Sequence, residues 1–99
     1  MEFLVEFELE VPAGTPDEEV DRRQRAESDA AAKLAEDGHL VRLWRRPLVG
    51  DGSTAIGLYR ADSEAELDGL LGTLPLADWL HVTVTPLEGH PNDPVEASR

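Results

Sequence analysis

Residues 15–38 read TPDEEVDRRQRAESDAAAKLAEDG, one long helix with both of its ends marked. Thr15 followed by Glu18 has the spacing of a capping box. Pro16 stands at the first helical position, where a missing N–H costs nothing. Asp17, Glu18 and Glu19 suit the positive end of the helix dipole. Ala26, Ala30, Ala31, Ala32, Leu34 and Ala35 favour helix, and Gly38 is placed to close it in the left-handed conformation. The predicted span is 16–37. Val20, Gln24, Glu27, Ala31 and Leu34 recur at alternating steps of four and three residues, the spacing of a stripe packed on a core. Glu27 is the anomaly in that stripe. A carboxylate aimed inward must be paired or must face a cavity, because an unpaired charge in an apolar interior is too costly.

The segments on either side of the helix are strands. In residues 2–11, Phe3, Val5, Phe7, Leu9 and Val11 alternate with Glu2, Leu4, Glu6, Glu8 and Glu10, which predicts a strand with one buried face. The glutamates on its open face discourage stray edge pairing. After Gly38, residues 39–46 read as a second strand. Leu40, Arg42, Trp44 and Arg46 are expected on one face, Val41, Leu43 and Arg45 on the other. Pro47 closes it, and Asp51-Gly52-Ser53 has the look of a hairpin turn. A third strand, 54–60, sets Ile56 and Leu58 against Ala55, Gly57 and Tyr59, and Gly57 leaves room for a close neighbour. Ser63 and Glu66 form a second capping box. It opens a short helix carrying Ala65, Leu67, Leu70, Leu71 and Leu74 that stops at Pro75. Residues 76–79 connect, and 80–87 form a fourth strand. Residues 88–99 are polar, contain Pro91 and Pro94, and read as an extended tail without an element of its own.

The order β-α-β-β-α-β predicts an α+β, ferredoxin-like sandwich spanning 1–99 as one domain. Four antiparallel strands carry two helices on one face. The opposite sheet face is expected to hold Leu4, Trp44 or its neighbours, and Tyr59. That is too apolar for a solvated surface, and self-association would cover it.

Composition narrows the function. With 99 residues and a net charge of −12, the chain opposes nucleic-acid backbones and anionic lipid surfaces. No apolar run is long enough to span a membrane, and the start lacks an export leader, so a cytoplasmic location is expected. The absence of cysteine removes disulfides and thiolate nucleophiles. His39, His81 and His90 lack metal-ligand spacing, the serines lack a nucleophile elbow, and no phosphate-binding glycine loop occurs. Neither metal nor cofactor is expected. Residues 38–60 carry four arginines and one acid, Asp51, in an otherwise acidic chain. That cluster either receives a small anion or balances local charge.

Glu27 either faces a cavity or is the partner of Arg42 or Arg45 in a core ion pair. Arg45, with Arg42 behind it, offers a planar fork for a small anion, or else pairs with a strand glutamate. Trp44 and Tyr59 could wall an apolar pocket, or belong to the core or an interface. Gln24, one turn before Glu27, could hydrogen-bond a substrate or the carboxylate.

Ala26-Glu27, Ala31, Leu34, Gly38, Leu43-Trp44-Arg45, Leu74-Pro75-Leu76 and His90-Pro91 together resemble the muconolactone delta-isomerases over essentially the whole chain. The resemblance implies a ferredoxin-like subunit in a large homo-oligomer, typically a decamer built from dimers. It also implies cofactor-free conversion of an anionic lactone, muconolactone, to 3-oxoadipate enol-lactone in the beta-ketoadipate route of aromatic catabolism. It puts the family's helix glutamate on Glu27, as the base, and its arginine on Arg45, to hold the free carboxylate or an enolate-like oxygen, and suggests that His90 caps a neighbour's pocket. The chain departs from the pattern at Gln24, where typical members carry lysine. It departs again at Leu4, where many carry histidine, and in the longer loop Val49 to Ser53. The alternatives are a cofactor-free ferredoxin-like monooxygenase, an isomerase of another small lactone, and a non-catalytic ligand-binding oligomeric module. Oxygen consumption with a quinol would mark the first of these. A Glu27 locked in an ion pair with no cavity beside it would mark the last.

Overall fold

A computed structural model describes residues 1–46 and 54–97, so the expected turn at Asp51-Gly52-Ser53 and the close of the second strand at Pro47 lie outside the described residues. The elements are β1 (Glu2–Leu9), α1 (Asp17–Glu36), β2 (Leu40–Arg45), β3 (Thr54–Arg60), α2 (Glu64–Gly72), β4 (Leu80–Leu87) and α3 (Pro94–Ala97). A single 3-10 turn, Ala77–Trp79, stands between α2 and β4. The sheet order is β2-β3-β1-β4 and every pairing is antiparallel. Phe3, Val5 and Phe7 of β1 join Leu34 of α1 and Leu67 and Leu71 of α2 in one core, which puts both helices on the same sheet face. This is the ferredoxin-like arrangement. Among the described residues no helix is long and apolar enough to cross a membrane.

The ends of α1 divide. At its C-terminus Gly38 takes φ +85°. Its N–H donates to Ala35 O, and the His39 N–H reaches back to Leu34 O, which is a Schellman closure. At the N-terminus the expected capping box does not form. Pro16 is itself the cap, and the Thr15 hydroxyl donates to Pro12 O at 2.6 Å instead. The turn through Pro12 and Gly14 holds Thr15 and so takes its hydroxyl away from the helix. The second box is present, with the Glu66 N–H donating to Ser63 Oγ at 3.0 Å. Four residues of the tail also form an element, the short helix α3.

Two sheet faces differ from the sequence-based expectation. The pairing of β2 with β3 shifts register between Leu40 and Arg42, so Val41 is an extra residue in the strand. Leu40 therefore shares a face with Leu43 and Arg45, opposite Arg42 and Trp44. Tyr59 pairs with Phe3 and lies on the helix side, 3% exposed, rather than on the open face. The open face carries Leu4, Ile56, Leu58 and Trp44 among glutamates and arginines.

Candidate active site

Glu27 is a half-buried residue near the middle of α1. The helix stripe contains Val20, Glu27, Ala30, Ala31 and Leu34, but its second position belongs to Arg23 rather than Gln24. At 3.6 residues per turn either could follow Val20. Arg23 is drawn inward because it has partners there. Its Nη1 donates to Asp78 Oδ1 at 2.8 Å and to Pro75 O at 3.3 Å, and its guanidinium lies 4.2 Å from the centre of the Trp79 ring. Gln24 is exposed, in a shallow depression with Asp21, Arg25 and Ser28.

Glu27 makes no ion pair among the described residues. Its Oε1 accepts the Leu76 N–H at 3.0 Å, from the connector that leads into β4. Burial raises the Glu27 pKa above its usual value, and the Leu76 N–H offsets only part of that rise. The other oxygen, Oε2, takes part in no hydrogen bond among the described residues. The carboxylate borders a cavity of about 240 Å³ between α1 and the sheet, lined mainly by Phe7, Leu9, Ala31, Leu43, Ala55 and Leu80. Tyr59, Ser28 and Leu76 complete the lining. Burial, with a smaller contribution from the nearby Glu27 charge, pushes the Tyr59 phenol up to about 12. Leu43 is 52% exposed, so the cavity opens at the β2 edge of the sheet.

The remaining sequence-based candidates are dispersed. Arg45 is exposed and lies beside Ala55 in register, on the cavity side of β2 and beyond Leu43. It makes no ion pair among the described residues. Arg42 and Trp44 stack on each other at 5.1 Å on the open face, away from the cavity of their own subunit. His90 is exposed in the tail, where its Nδ1 accepts the Asn92 N–H at 2.9 Å. Sequence reasoning did not single out the Leu76 amide, because a backbone donor leaves no side-chain signal. Among the described residues no group of His, Asp or Glu side chains gathers that could hold a metal ion.

The family model described as muconolactone delta-isomerase matches residues 1–93. The chain belongs to the muconolactone delta-isomerase family. Muconolactone Delta-isomerase 1 of Acinetobacter lwoffii is 33% identical over 92 residues, covering 93% of each chain. Muconolactone Delta-isomerase of Cupriavidus pinatubonensis is 30% identical over 92 residues, covering 93% of this chain and 97% of that one. A crystal structure of muconolactone isomerase superposes with a TM-score of 0.83 at 22% identity, covering 95% of both chains. A second solved structure, 5-chloro-2-hydroxyhydroquinone dehydrochlorinase from Burkholderia phenoliruptrix in complex with 2,5-dihydroxybenzoquinone, has a TM-score of 0.67 at 16% identity. It covers 91% of this chain and 96% of that one, and it shares the fold. The family members are isomerases, and this chain is one of them.

Proposed function

We propose that the chain converts muconolactone to 3-oxoadipate enol-lactone, in the beta-ketoadipate route of aromatic catabolism, without a cofactor. The supporting observation is Glu27: a carboxylate with raised pKa and no ion pair among the described residues, one oxygen anchored by the Leu76 amide, facing an apolar cavity. That is the environment of a base that must accept a proton from carbon and give it back. Glu27 Oε2 takes the proton from the ring carbon that carries the substrate's carboxylate arm. The electron pair moves through the ring to the lactone carbonyl oxygen. The same proton is then delivered to the carbon next to the carbonyl, the carbonyl re-forms, and the double bond has moved by one position.

Arg45 lies on the cavity side of β2 and is suited to hold the free carboxylate at the mouth. The proposal includes assembly. β2 is an edge strand whose residues beyond Leu40 are exposed, and Leu43 and Trp44 are large apolar side chains at its surface. The Cα radius of gyration is 15.1 Å, against about 13 Å for a compact chain of this length. An exposed tail and an exposed edge strand suit a homo-oligomer in which neighbours close the cavity mouth. His90 and the paired Arg42 and Trp44 of an adjoining subunit are candidates for that closure.

The test is the ultraviolet change on isomerisation of muconolactone by the wild-type protein, run in ordinary and in heavy water. Turnover with return of the abstracted proton, or its partial exchange for deuterium, is the expected result. No turnover by assembled protein would refute the proposed reaction. Light scattering at micromolar concentration is expected to show more than two subunits per particle, and a monomer mass would remove the assembly.

A further inference from the structure

A base alone does not complete the chemistry. The charge that leaves carbon arrives on the carbonyl oxygen, which needs a donor in a dry site. The lining of the cavity restricts what that donor can be. Phe7, Leu9, Ala31, Leu43, Ala55 and Leu80 have no side-chain donor. The Ser28 hydroxyl is engaged with Gln24 O at 3.1 Å, and the Leu76 amide is engaged with Glu27. Tyr59 is left. Its hydroxyl takes part in none of the hydrogen bonds among the described residues, nor is it sealed in without a partner.

The ring of Tyr59 is also held in a defined place. A Cβ built on Gly57 would fall 2.5 Å from Tyr59 Cε1 and 3.1 Å from Cδ1, so the ring lies back along β3 over Gly57. Leu43 Cδ1 borders the same point at 3.5 Å. Phe7 meets the ring edge-on, with centroids 5.9 Å apart and planes at 60°. Leaning this way, the ring carries its hydroxyl from Tyr59 towards Ala55, which lines the same cavity as Glu27. Any side chain at position 57 would force the ring off this path.

We propose that the Tyr59 hydroxyl is the donor that receives negative charge developing on the substrate oxygen, and that Gly57 is the positioning residue that aims it. The inference rests on the proton-transfer reading of the cavity and adds the second partner that reading requires. With its phenol pushed up to about 12, Tyr59 keeps its proton at working pH and remains a donor throughout the cycle.

Two measurements test it. In turnover of muconolactone, Tyr59→Phe keeps the ring over Gly57 and is expected to lower kcat about 10²-fold with little change in KM. In binding, Glu27→Gln supplies a neutral stand-in for the protonated base, and 4-nitrophenolate serves as the oxyanion probe. Adding Tyr59→Phe to that variant is expected to weaken the phenolate about tenfold or more. An undiminished kcat in Tyr59→Phe overturns the proposal. So does equal phenolate affinity in the two backgrounds, or no phenolate binding at all. A wild-type protein inert towards muconolactone, whose Glu27→Gln variant nonetheless binds phenolate through Tyr59, would refute the reaction and keep the donor.

Discussion

Glu27→Gln separates the chemical from the structural account of the carboxylate, because the two accounts predict changes of opposite sign. Glutamine keeps the shape and keeps an oxygen for the Leu76 N–H, which sits 3.0 Å away. What it deletes is the charge and the basic lone pair. Loss of a positioned general base costs roughly 10²–10⁴-fold in turnover. That corresponds to about 2.7–5.4 kcal/mol at 1.36 kcal/mol per tenfold. Stability should move the other way. Burial raises the folded-state pKa of Glu27, so the native protein binds this proton more tightly than the unfolded chain does. The native state is therefore least penalised below the unfolded pKa. It loses stability as pH rises from there through the folded pKa, and above that value the whole penalty is present. At neutral pH Glu27→Gln is expected to melt higher than wild type, and in acid the two should converge. The assays are ultraviolet turnover of muconolactone and thermal melts from about pH 3 to about pH 8. The wild-type pH–rate profile should show an acid limb above the ordinary carboxylate range. A glutamine variant with wild-type turnover would remove Glu27 as the base. One that melts lower at neutral pH would show that the charge stabilises the fold.

Arg45→Ala should raise KM for muconolactone with kcat nearly unchanged. Because Arg45 is exposed, the loss should be about 1 kcal/mol, roughly fivefold; unchanged kinetics with a lowered melting point would make its role structural. Arg23→Ala removes the Asp78 contact at 2.8 Å and the Trp79 contact at 4.2 Å. It should cost about 1–2 kcal/mol, a fall in melting temperature of roughly 5–10 °C by calorimetry, and no change would show those contacts to be idle. The chain has one tyrosine, so near-ultraviolet titration of tyrosinate reads Tyr59 alone. A midpoint near 12 is expected in the folded protein, lowered by Glu27→Gln because the neighbouring negative charge is gone. The folded state holds this proton longer than the unfolded chain, so stability should fall as pH rises past about 10.

Much of this was legible in the residues themselves. Alternation in β1, the Gly38 stop, the Ser63 cap and the order of elements all express local chemistry, and local chemistry survives folding. The losses occur where the outcome depends on contacts between distant residues. Periodicity groups Ala55, Gly57 and Tyr59 on one face of β3, but only pairing with Phe3 and Val5 says which face that is. The extra residue at Val41 inverts the faces of half a strand, and nothing in the alternation announces it. Gln24 and Arg23 are equally placed on a helical wheel. The choice between them was made by Asp78 and Trp79, more than fifty positions away. Glu27 was visible as a misfit, whereas the amide that anchors it was not.

The contacts of Arg23 and Glu27 with the connector, Pro75 O at 3.3 Å and the Leu76 N–H at 3.0 Å, stitch one side of the cavity to the helix one turn apart. Among the described residues the β2 side has no such stitches. Leu43 of β2 and Ala55 of β3 border the same space with small or exposed side chains and place no polar atom of their own side chains on Glu27. Substitutions there can widen, narrow or reshape the cavity while the carboxylate keeps its anchor. Under the proposed reaction, the fold thus separates what holds the proton carrier from what selects the molecule. With Glu27 as the proposed base, a lineage, or an engineer, can exchange substrates along the β2 side without rebuilding the contacts that hold it.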